Sequence, residues 1–584
     1  MNDESDLVAH RIDARLAVPE PPSDVVARSR LFHMLDAGIA HPLTLVCGPA
    51  GSGKTVLVSS WARVRSEQSP AWLSLDADDL ADGSIWSLIA QALAPQFGTQ
   101  VPEPHDGSRA FLAELASKLC ALGNRVVLVL DCDVSPPLQV AHVLDTLLRR
   151  SCAKLRLILI TRTEPPLPLH RYRLTGSIME IRGSELAFRD EEAGALLTSA
   201  GVHLPAAVRD DVMGHTLGWA SGLRFAALKL AASKDPDPAI GALNGTQGPV
   251  SEYLRAEVLD RQPRRIRELL LRTCVVDVLV PGLAEALAGP SAPRELASLT
   301  RADVFLEETR PGRYRYHPLF RQLLRTQLAD EMPLVRTQVH RLAGAWLARH
   351  GAVETAVSHA VAAAAWEEAC RYVVDGLAVG QLLTEDPEGP LHVALAAIPQ
   401  HVPGSDAPLV RSALSGRQAA GPLPEDLTEE GAEQEHAPRQ LAQTLLALRD
   451  GVAAGQARQV LSVAANGFRL IDLLQIENSH PETVLLLRWA QGAAHLQAGR
   501  LTDAVEAFSL GTRTAAPVSA WPSVECLSEL ALIAACRGHL RRATRFATRA
   551  LDTGSRAVGG AASTPATVAE VALCVVAVET CAFS

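Results

Sequence analysis

Along the first 185 residues, short, mostly apolar runs alternate with stretches of helical period. The runs are Leu43–Cys47, Ala71–Leu75, Val126–Leu130, Leu155–Ile160 and Ile178–Ile181. Four to six mostly apolar residues, interrupted singly by Thr44, Ser74, Arg156 or Glu180, predict strands covered on both faces, as in a parallel sheet. Helices are predicted from Val26 to about Ala40 and from Ile85 to Leu93. Strand and helix in alternation predict an α/β domain whose ligand lies at the strands' C-terminal edge. From Leu186 to about Ser233 the pattern is helical. Residues 251 to 328 then give three helices, Ser251–Leu259, Arg264–Val275 and Pro293–Leu299. A hairpin follows, Phe305–Thr309 and Tyr314–Tyr316 around Pro311-Gly312. That order suits a winged helix, and Pro293 suits a first helical position, where no N–H is required.

From about Val335 the pattern is helical throughout. A short signature recurs: Gly351, Val353 and Ala356; Gly499, Leu501 and Ala504; Gly538, Leu540 and Ala543. Gly499 and Gly538 are 39 residues apart. Small residues at such elbows let paired helices approach closely, as in TPR-like solenoids; a generic helical bundle is the alternative. Residues 402–440, rich in Pro and Gly and carrying Glu425-Asp426-Leu427-Thr428-Glu429-Glu430, read as a loop or linker. The expected domains are a flexible lead-in (1–24), an α/β domain (25–185), a helical subdomain (186–245) and a winged helix (246–334). Helical hairpins (335–401), the linker (402–440) and an apparently incomplete TPR-like array (441–584) complete the chain.

The chemistry concentrates after the first strand. Gly48-Pro49-Ala50-Gly51-Ser52-Gly53-Lys54-Thr55 fits G-x-x-x-x-G-K-[ST] in full, between a buried-type strand and an amphipathic helix. Glycines let the backbone curl so that successive N–H groups face a phosphate at the positive end of the following helix. Lys54 is then placed to reach the β- and γ-phosphates of ATP or ADP, and Thr55 to hold Mg²⁺. The third strand runs directly into Asp131, expected to hold the water shell of the same Mg²⁺; a solvated strand-end carboxylate is the alternative. The next residue, where hydrolytic sites of this kind carry a second acid, is Cys132, and the next acid is Asp133. A thiol is a poor base for water. After the fourth strand, Arg162 is positioned to sense a γ-phosphate. Asp131, Asp133 and Arg162 are therefore the candidate catalytic residues of what is at most a slow ATPase.

Composition narrows the picture. The 584 residues exceed one core and call for several domains, and 48% hydrophobic residues with only 4% aromatics favour a mostly α chain. A net charge of -10 argues against a protein that coats nucleic acid. Between Arg261 and Arg325, however, twelve arginines face seven acids, which leaves open a DNA face or a solvated, phosphate-facing surface. Ten scattered cysteines without C-x-x-C read as reduced thiols, and the acidic N-terminus lacks an apolar signal core; the expected address is the cytoplasm, with no membrane partner.

Several segments recur in order in one group of proteins. They are the phosphate loop with Ser60-Trp61-Ala62, Trp72-Leu73-Ser74-Leu75-Asp76, Leu128-Val129-Leu130-Asp131 and Thr161 to Leu169. Leu186 to Ala193 and Gly218 to Leu223 complete the set. Over about residues 25 to 375 the chain resembles the large LuxR-family, MalT-like transcriptional regulators, of the STAND class of signal-transduction P-loop ATPases. The resemblance implies a switch between an ADP-bound resting form and an ATP-bound, inducer-stabilised oligomer. Inducer, small molecule or protein, would be sensed by the C-terminal solenoid. It also implies Gly218-Trp219 against the adenine, ordinary helix packing being the alternative, and Arg28 among the cofactor-binding residues. His317, before Pro318, matches a histidine that contacts ADP, although a core histidine reads equally well. Cys132 departs from the usual Asp-Asp and implies arrested or very slow hydrolysis. After Arg556 only one apolar helix, Val568 to Ala582, is predicted, with no recognition-helix pattern, so DNA binding is expected to be weak or to need a missing module. The rival expectation is an ADP-bound, TPR-like scaffold that neither cycles nor binds DNA.

Overall fold

Both faces of the central strands, Leu43–Cys47 and Leu155–Thr161, are buried, which is why their sequences read as mostly apolar runs. The computed structural model describes residues 15–22, 24–65, 69–76, 79–80, 85–97, 109–132, 134–232, 248–302, 304–415, 436–514, 521–557 and 564–582. They form two units, Met1–Pro333 and Leu334–Ser584. In the first, β1 (Leu43–Cys47), β2 (Ala71–Leu75), β3 (Val126–Cys132), β4 (Leu155–Thr161) and β5 (Ile178–Ile181) make one parallel sheet, in the order β2-β3-β4-β1-β5. Helices α1 (Ser29–Gly38) and α2 (Lys54–Val64) cover one face, where Leu31, Leu35, Leu57 and Trp61 meet Val46, Val129, Ile158 and Ile160. Helices α3 (Ile85–Phe97), α4 (Arg109–Ala121) and α5 (Leu138–Arg150) cover the other, against Leu45, Leu128, Leu130, Cys132 and Leu159. Alternate residues of a strand point to opposite faces, so Asp131 and Cys132 part company. Cys132 joins the core and is 3% exposed.

Helix α6 (Leu169–Leu174) leads to β5, and α7 (Gly183–Leu186) leads out of the sheet. A small subdomain follows: α8 (Asp190–Ser199), α9 (Ala206–Thr216) and α10 (Ala220–Ala231), with its own core of Ala193, Leu197, Val212, Leu223 and Ala227. The winged-helix region comprises α11 (Pro249–Leu254), which continues as a π turn over Arg255–Leu259, then α12 (Arg264–Thr273), α13 (Pro281–Ala288) and α14 (Ala292–Arg301). The antiparallel wing β6 (Leu306–Arg310) and β7 (Arg313–Tyr316) and helix α15 (Pro318–Glu331) close it. Sequence reading missed α13, a short helix introduced by Pro281-Gly282.

The second unit is helical, and its buried residues form one extended core from Ala356 to Ile533 with a smaller cluster around Ala531, Ala547 and Ala572. Gly499 and Gly538 sit at elbows with φ of +74° and +72°, a left-handed conformation that glycine takes without strain. Helix pairs follow each elbow pattern: Pro481–Gln497 packs on Leu501–Gly511, and Trp521–Cys536 on Leu540–Ala557. Within the expected linker the structure holds a helix, Ala407–Leu414, whose Ala407, Val410 and Ala413 are buried in the unit's core; residues 416–435 lie outside the described residues. No helix among the described residues is long and apolar enough to cross a membrane.

One expectation is corrected. Cys120, at the end of α4, and Cys152, in the turn before β4, form a disulfide with Cα atoms 5.2 Å apart. Their separation of 32 residues carries no motif; the pairing arises because the sheet brings the starts of β3 and β4 side by side. Cys47, Cys132, Cys274, Cys370 and Cys526 are not disulfide-bonded and are buried, while Cys536 and Cys574 are not disulfide-bonded and are exposed.

Candidate nucleotide-binding site

The sheet register brings the candidate residues to one edge. Cys47, the last residue of β1, pairs with Thr161 of β4, and Asp131 lies opposite Ile160 of β4 and Ser74 of β2. Residues that immediately follow these strands, Gly48 and Arg162, therefore leave the sheet beside Asp131. Between β1 and α2 the chain curls through Gly51 (φ +70°) and Gly53 (φ +82°). A Cβ on Gly51 would come within 2.4 Å of the Ser221 hydroxyl, so only glycine fits there. Helix α2 begins at Lys54, and its positive dipole end faces the loop.

Side chains complete the arrangement. Lys54 Nζ donates to the carbonyls of Gly48 at 2.8 Å and Pro49 at 2.9 Å, and so spans the mouth of the loop. The Thr55 hydroxyl donates to Asp131 Oδ2 at 2.8 Å. Hydroxyl and carboxylate are thus already paired at the place where a hard cation would need two oxygen donors, and they fit Mg²⁺. Among the described residues, no group of three or more His, Cys, Asp or Glu forms a metal cage. A cavity of about 430 Å³ opens beside the loop. Lys54, Thr55, Asp131 and Arg162 line its polar side, and Val25, Val26, Phe188 and Leu196 its apolar side. One apolar wall and one cationic wall suit a base at one end and phosphates at the other.

Arg28 lies in this cavity wall, 5% exposed, with its guanidinium 4.2 Å over the Phe188 ring and donating to the Leu186 carbonyl at 2.6 Å. Burial pushes it down to about 10, the nearby Glu192 opposing, so it stays charged at neutral pH. Arg30 donates to the carbonyls of Glu185 and Ala187 and to Glu192 at 2.9 Å. Together the two arginines fasten the segment between sheet and helical subdomain. Arg162 pairs with Glu257 of the π turn at 3.0 Å. Burial, reinforced by Asp131, pushes the Cys132 thiol up to about 12, which disqualifies it as a base near neutral pH. Asp133 lies outside the described residues.

The rear of the loop is held by carbon. Trp219 Nε1 donates to the Ala50 carbonyl at 3.0 Å, and the Ser221 amide donates to the Gly51 carbonyl at 3.0 Å, so α10 starts directly on the loop. Trp219 packs against Phe305 (5.2 Å between centroids), Tyr253 (5.8 Å) and His317 (6.0 Å). His317 lines not the 430 Å³ cavity but a neighbouring one of about 550 Å³, with Pro49, Ser52 and Phe305. Its Nε2 donates to the Thr216 carbonyl at 2.8 Å, which leaves Nδ1 without a hydrogen-bond partner. Desolvation pushes its pKa down to about 4.

Sequence reasoning missed Val26, Phe188 and Leu196 of the apolar wall, together with Arg224, which pairs with Asp24 at its rim. Phe188 lies inside one of the recurring segments, but nothing in its spacing marks it as facing the loop. The arginine-rich stretch resolves differently. At least six of the twelve, Arg261, Arg265, Arg267, Arg272, Arg321 and Arg325, are in ion pairs with Glu257, Glu295, Asp260 or Glu331, Glu268 and Asp277. Much of the apparent positive surplus is neutralised within the fold.

Residues 255–336 match the MalT winged helix domain. Among curated proteins, the chain is 33% identical over 362 residues to a serine/threonine-protein kinase, PknK, of Mycobacterium tuberculosis, covering 59% of this chain and 32% of that one. It is 30% identical over 371 residues to the HTH-type transcriptional regulator MalT of Serratia proteamaculans, covering 60% and 40%. The chain thus spans less than half the length of these relatives. Two solved structures align more distantly. A Walker-type ATPase of Pyrococcus abyssi does so at 15% identity and TM-score 0.39, covering 52% of this chain and 97% of that one. A STAND protein with a tetratricopeptide repeat sensor from Pyrococcus horikoshii does so at 13% and 0.34, covering 91% and 84%. Phosphate-loop architecture, winged-helix match and similarity to MalT agree in kind: residues 255–336 form a winged helix of the MalT type, and about 60% of the chain is similar in sequence to MalT.

Proposed function

We propose that this chain is a nucleotide-gated regulator that binds ATP or ADP at Gly48–Thr55 with Mg²⁺ at Thr55 and Asp131. The observation that carries the reading is the docking of α10 on the loop. Trp219 and Ser221 hold the carbonyls of Ala50 and Gly51, while Lys54, Thr55, Asp131 and Arg162 converge on the opposite side. A nucleotide that rearranges the loop must therefore disturb the seam with the helical subdomain and the winged helix, which is what a bistable switch requires. When bound, Mg²⁺ would neutralise charge on the β- and γ-phosphates. Lys54 would bind the terminal phosphates, Val26 and Phe188 would flank the base, and Arg162 would read the γ-phosphate.

Hydrolysis is slow or absent in this reading, because Cys132 turns into the core with its proton held and the position supplies no base. The helical second unit is the proposed sensor of a small-molecule or protein inducer, built on TPR-like pairs. Transcriptional regulation is the proposed role; DNA contact by this chain alone is weak, in keeping with the paired winged-helix arginines. Cys132 equally favours a second reading, an ADP-bound scaffold that never cycles. Light scattering separates the two: the switch predicts a larger mass with a non-hydrolysable ATP analogue than with ADP, and equal masses would favour the scaffold.

A further inference from the structure

Arg162 belongs to two cavities at once. It lines the nucleotide cavity with Lys54, Thr55 and Asp131, and it also lines a smaller one, of about 200 Å³, on the winged-helix side with Glu257 and Arg261. Within the second, Nη2 lies 3.0 Å from Glu257 Oε2, and Nη1 lies 3.4 Å from the Glu257 carbonyl oxygen. Glu257 sits in the π turn, closed by the Asp260 amide donating to the Arg255 carbonyl at 2.8 Å. One turn earlier, the hydroxyl of Tyr253 lies 3.0 Å from where a Cβ on Gly51 would stand. The same short segment therefore touches the phosphate loop through Tyr253 and the end of β4 through Glu257. π turns are rare and concentrate at functional sites.

We infer that Glu257 sets the preference between nucleoside diphosphate and triphosphate by competing with the γ-phosphate for Arg162. The inference rests on the reading of Gly48–Thr55 as a nucleotide site. A diphosphate ends on the loop and Lys54, and it leaves the Arg162–Glu257 pair intact. A triphosphate brings one more dianionic group, with three acceptor oxygens, toward the same strand edge. Guanidinium binds a phosphate in the same forked geometry as a carboxylate, so the two anions exchange on one cation. Glu257 does not lose every partner when displaced, because Arg261 holds it at 3.0 Å from the next helical turn. That second cation lowers the cost of exchange and frees the winged helix from the strand edge when a triphosphate binds. The pair is only partly buried, with side chains 25% and 28% exposed, so the bias is moderate rather than absolute.

The test is calorimetric titration of the full chain with ADP and with a non-hydrolysable ATP analogue, both with Mg²⁺, for wild type, Glu257→Gln, Arg162→Gln and the double variant. Glu257→Gln tightens the triphosphate by roughly fivefold, the scale of one partly exposed ion pair, and leaves ADP unchanged. Arg162→Gln weakens only the triphosphate, and on that background Glu257→Gln has no further effect. ADP affinity serves as the internal control for folding. Equal shifts for both nucleotides, or none for either, in Glu257→Gln would overturn the inference while leaving nucleotide binding itself intact. A wild type that binds neither nucleotide would overturn the underlying reading, and this inference with it.

Discussion

The two sides of the phosphate loop are built from different materials. On the front, Lys54, Thr55, Asp131 and Arg162 make short hydrogen bonds and ion pairs that an incoming phosphate or cation can replace one for one. On the rear, Trp219, Phe305 and His317 pack edge to face, and hydrogen bonds from Trp219 and Ser221 reach the loop carbonyls. Exchangeable polar contacts let the front respond to a ligand. Packed aromatic rings make the rear an all-or-nothing joint, because close-packed interfaces rearrange between discrete states rather than deform smoothly. In the proposed switch, this contrast is how a loop of eight residues would pass the presence of a phosphate to the winged helix.

Breaking the rear joint has the largest effect. Trp219 is 5% exposed and serves the loop, the helical subdomain and the winged helix at once. Trp219→Ala removes about 3–5 kcal/mol of stability, the usual cost of deleting a buried tryptophan, measured by chemical denaturation of the first unfolding transition. A loss under about 1 kcal/mol would show that the joint is held elsewhere.

A smaller effect comes from protonating the same joint. His317 donates from Nε2 and has its folded pKa pushed down to about 4, below the ordinary value near 6.5. The depressed value means that the unfolded chain takes up the proton first. The stabilising contribution of the neutral ring is complete above about pH 6.5 and is lost as pH falls toward 4, about 3 kcal/mol in all. Denaturation midpoints across that window should fall for wild type. In His317→Gln, which keeps a donor for Thr216 but does not titrate, the curve should be flatter. Identical curves would remove His317 from the joint.

How much of this was legible in the sequence depended on how local the cause is. Strands with both faces buried announce themselves as apolar runs, and the phosphate loop is specified within eight residues by glycines that only a tight turn requires. Asp131 was readable as a strand-end carboxylate. Its neighbour's fate followed from parity alone, since a residue one step along a strand faces the opposite way, into the core. What stayed hidden depends on distant partners. The apolar wall joins Val26 to Phe188, the disulfide joins Cys120 to Cys152, and Arg162 meets Glu257 across 95 residues. The arginine surplus misled for a simpler reason. Counting from Arg261 to Arg325 excluded Glu257 and Asp260 just before the window and Glu331 just after it, and these carboxylates neutralise Arg261 and Arg267. His317, which read equally well as an ADP contact and as a core histidine, lies on the rear side of the loop, where no periodicity distinguishes a ligand contact from a brace.

The central claim is that the front of the loop binds nucleotide phosphates through Lys54. Isothermal titration of the full chain with ADP and Mg²⁺ tests it most directly, comparing wild type with Lys54→Ala. A charge-assisted hydrogen bond to phosphate contributes about 1.5–3 kcal/mol, so the variant should bind roughly 10- to 100-fold more weakly with its unfolding midpoint unchanged. Heat of binding that is absent from wild type at millimolar ADP, or the same in both proteins, would contradict the account.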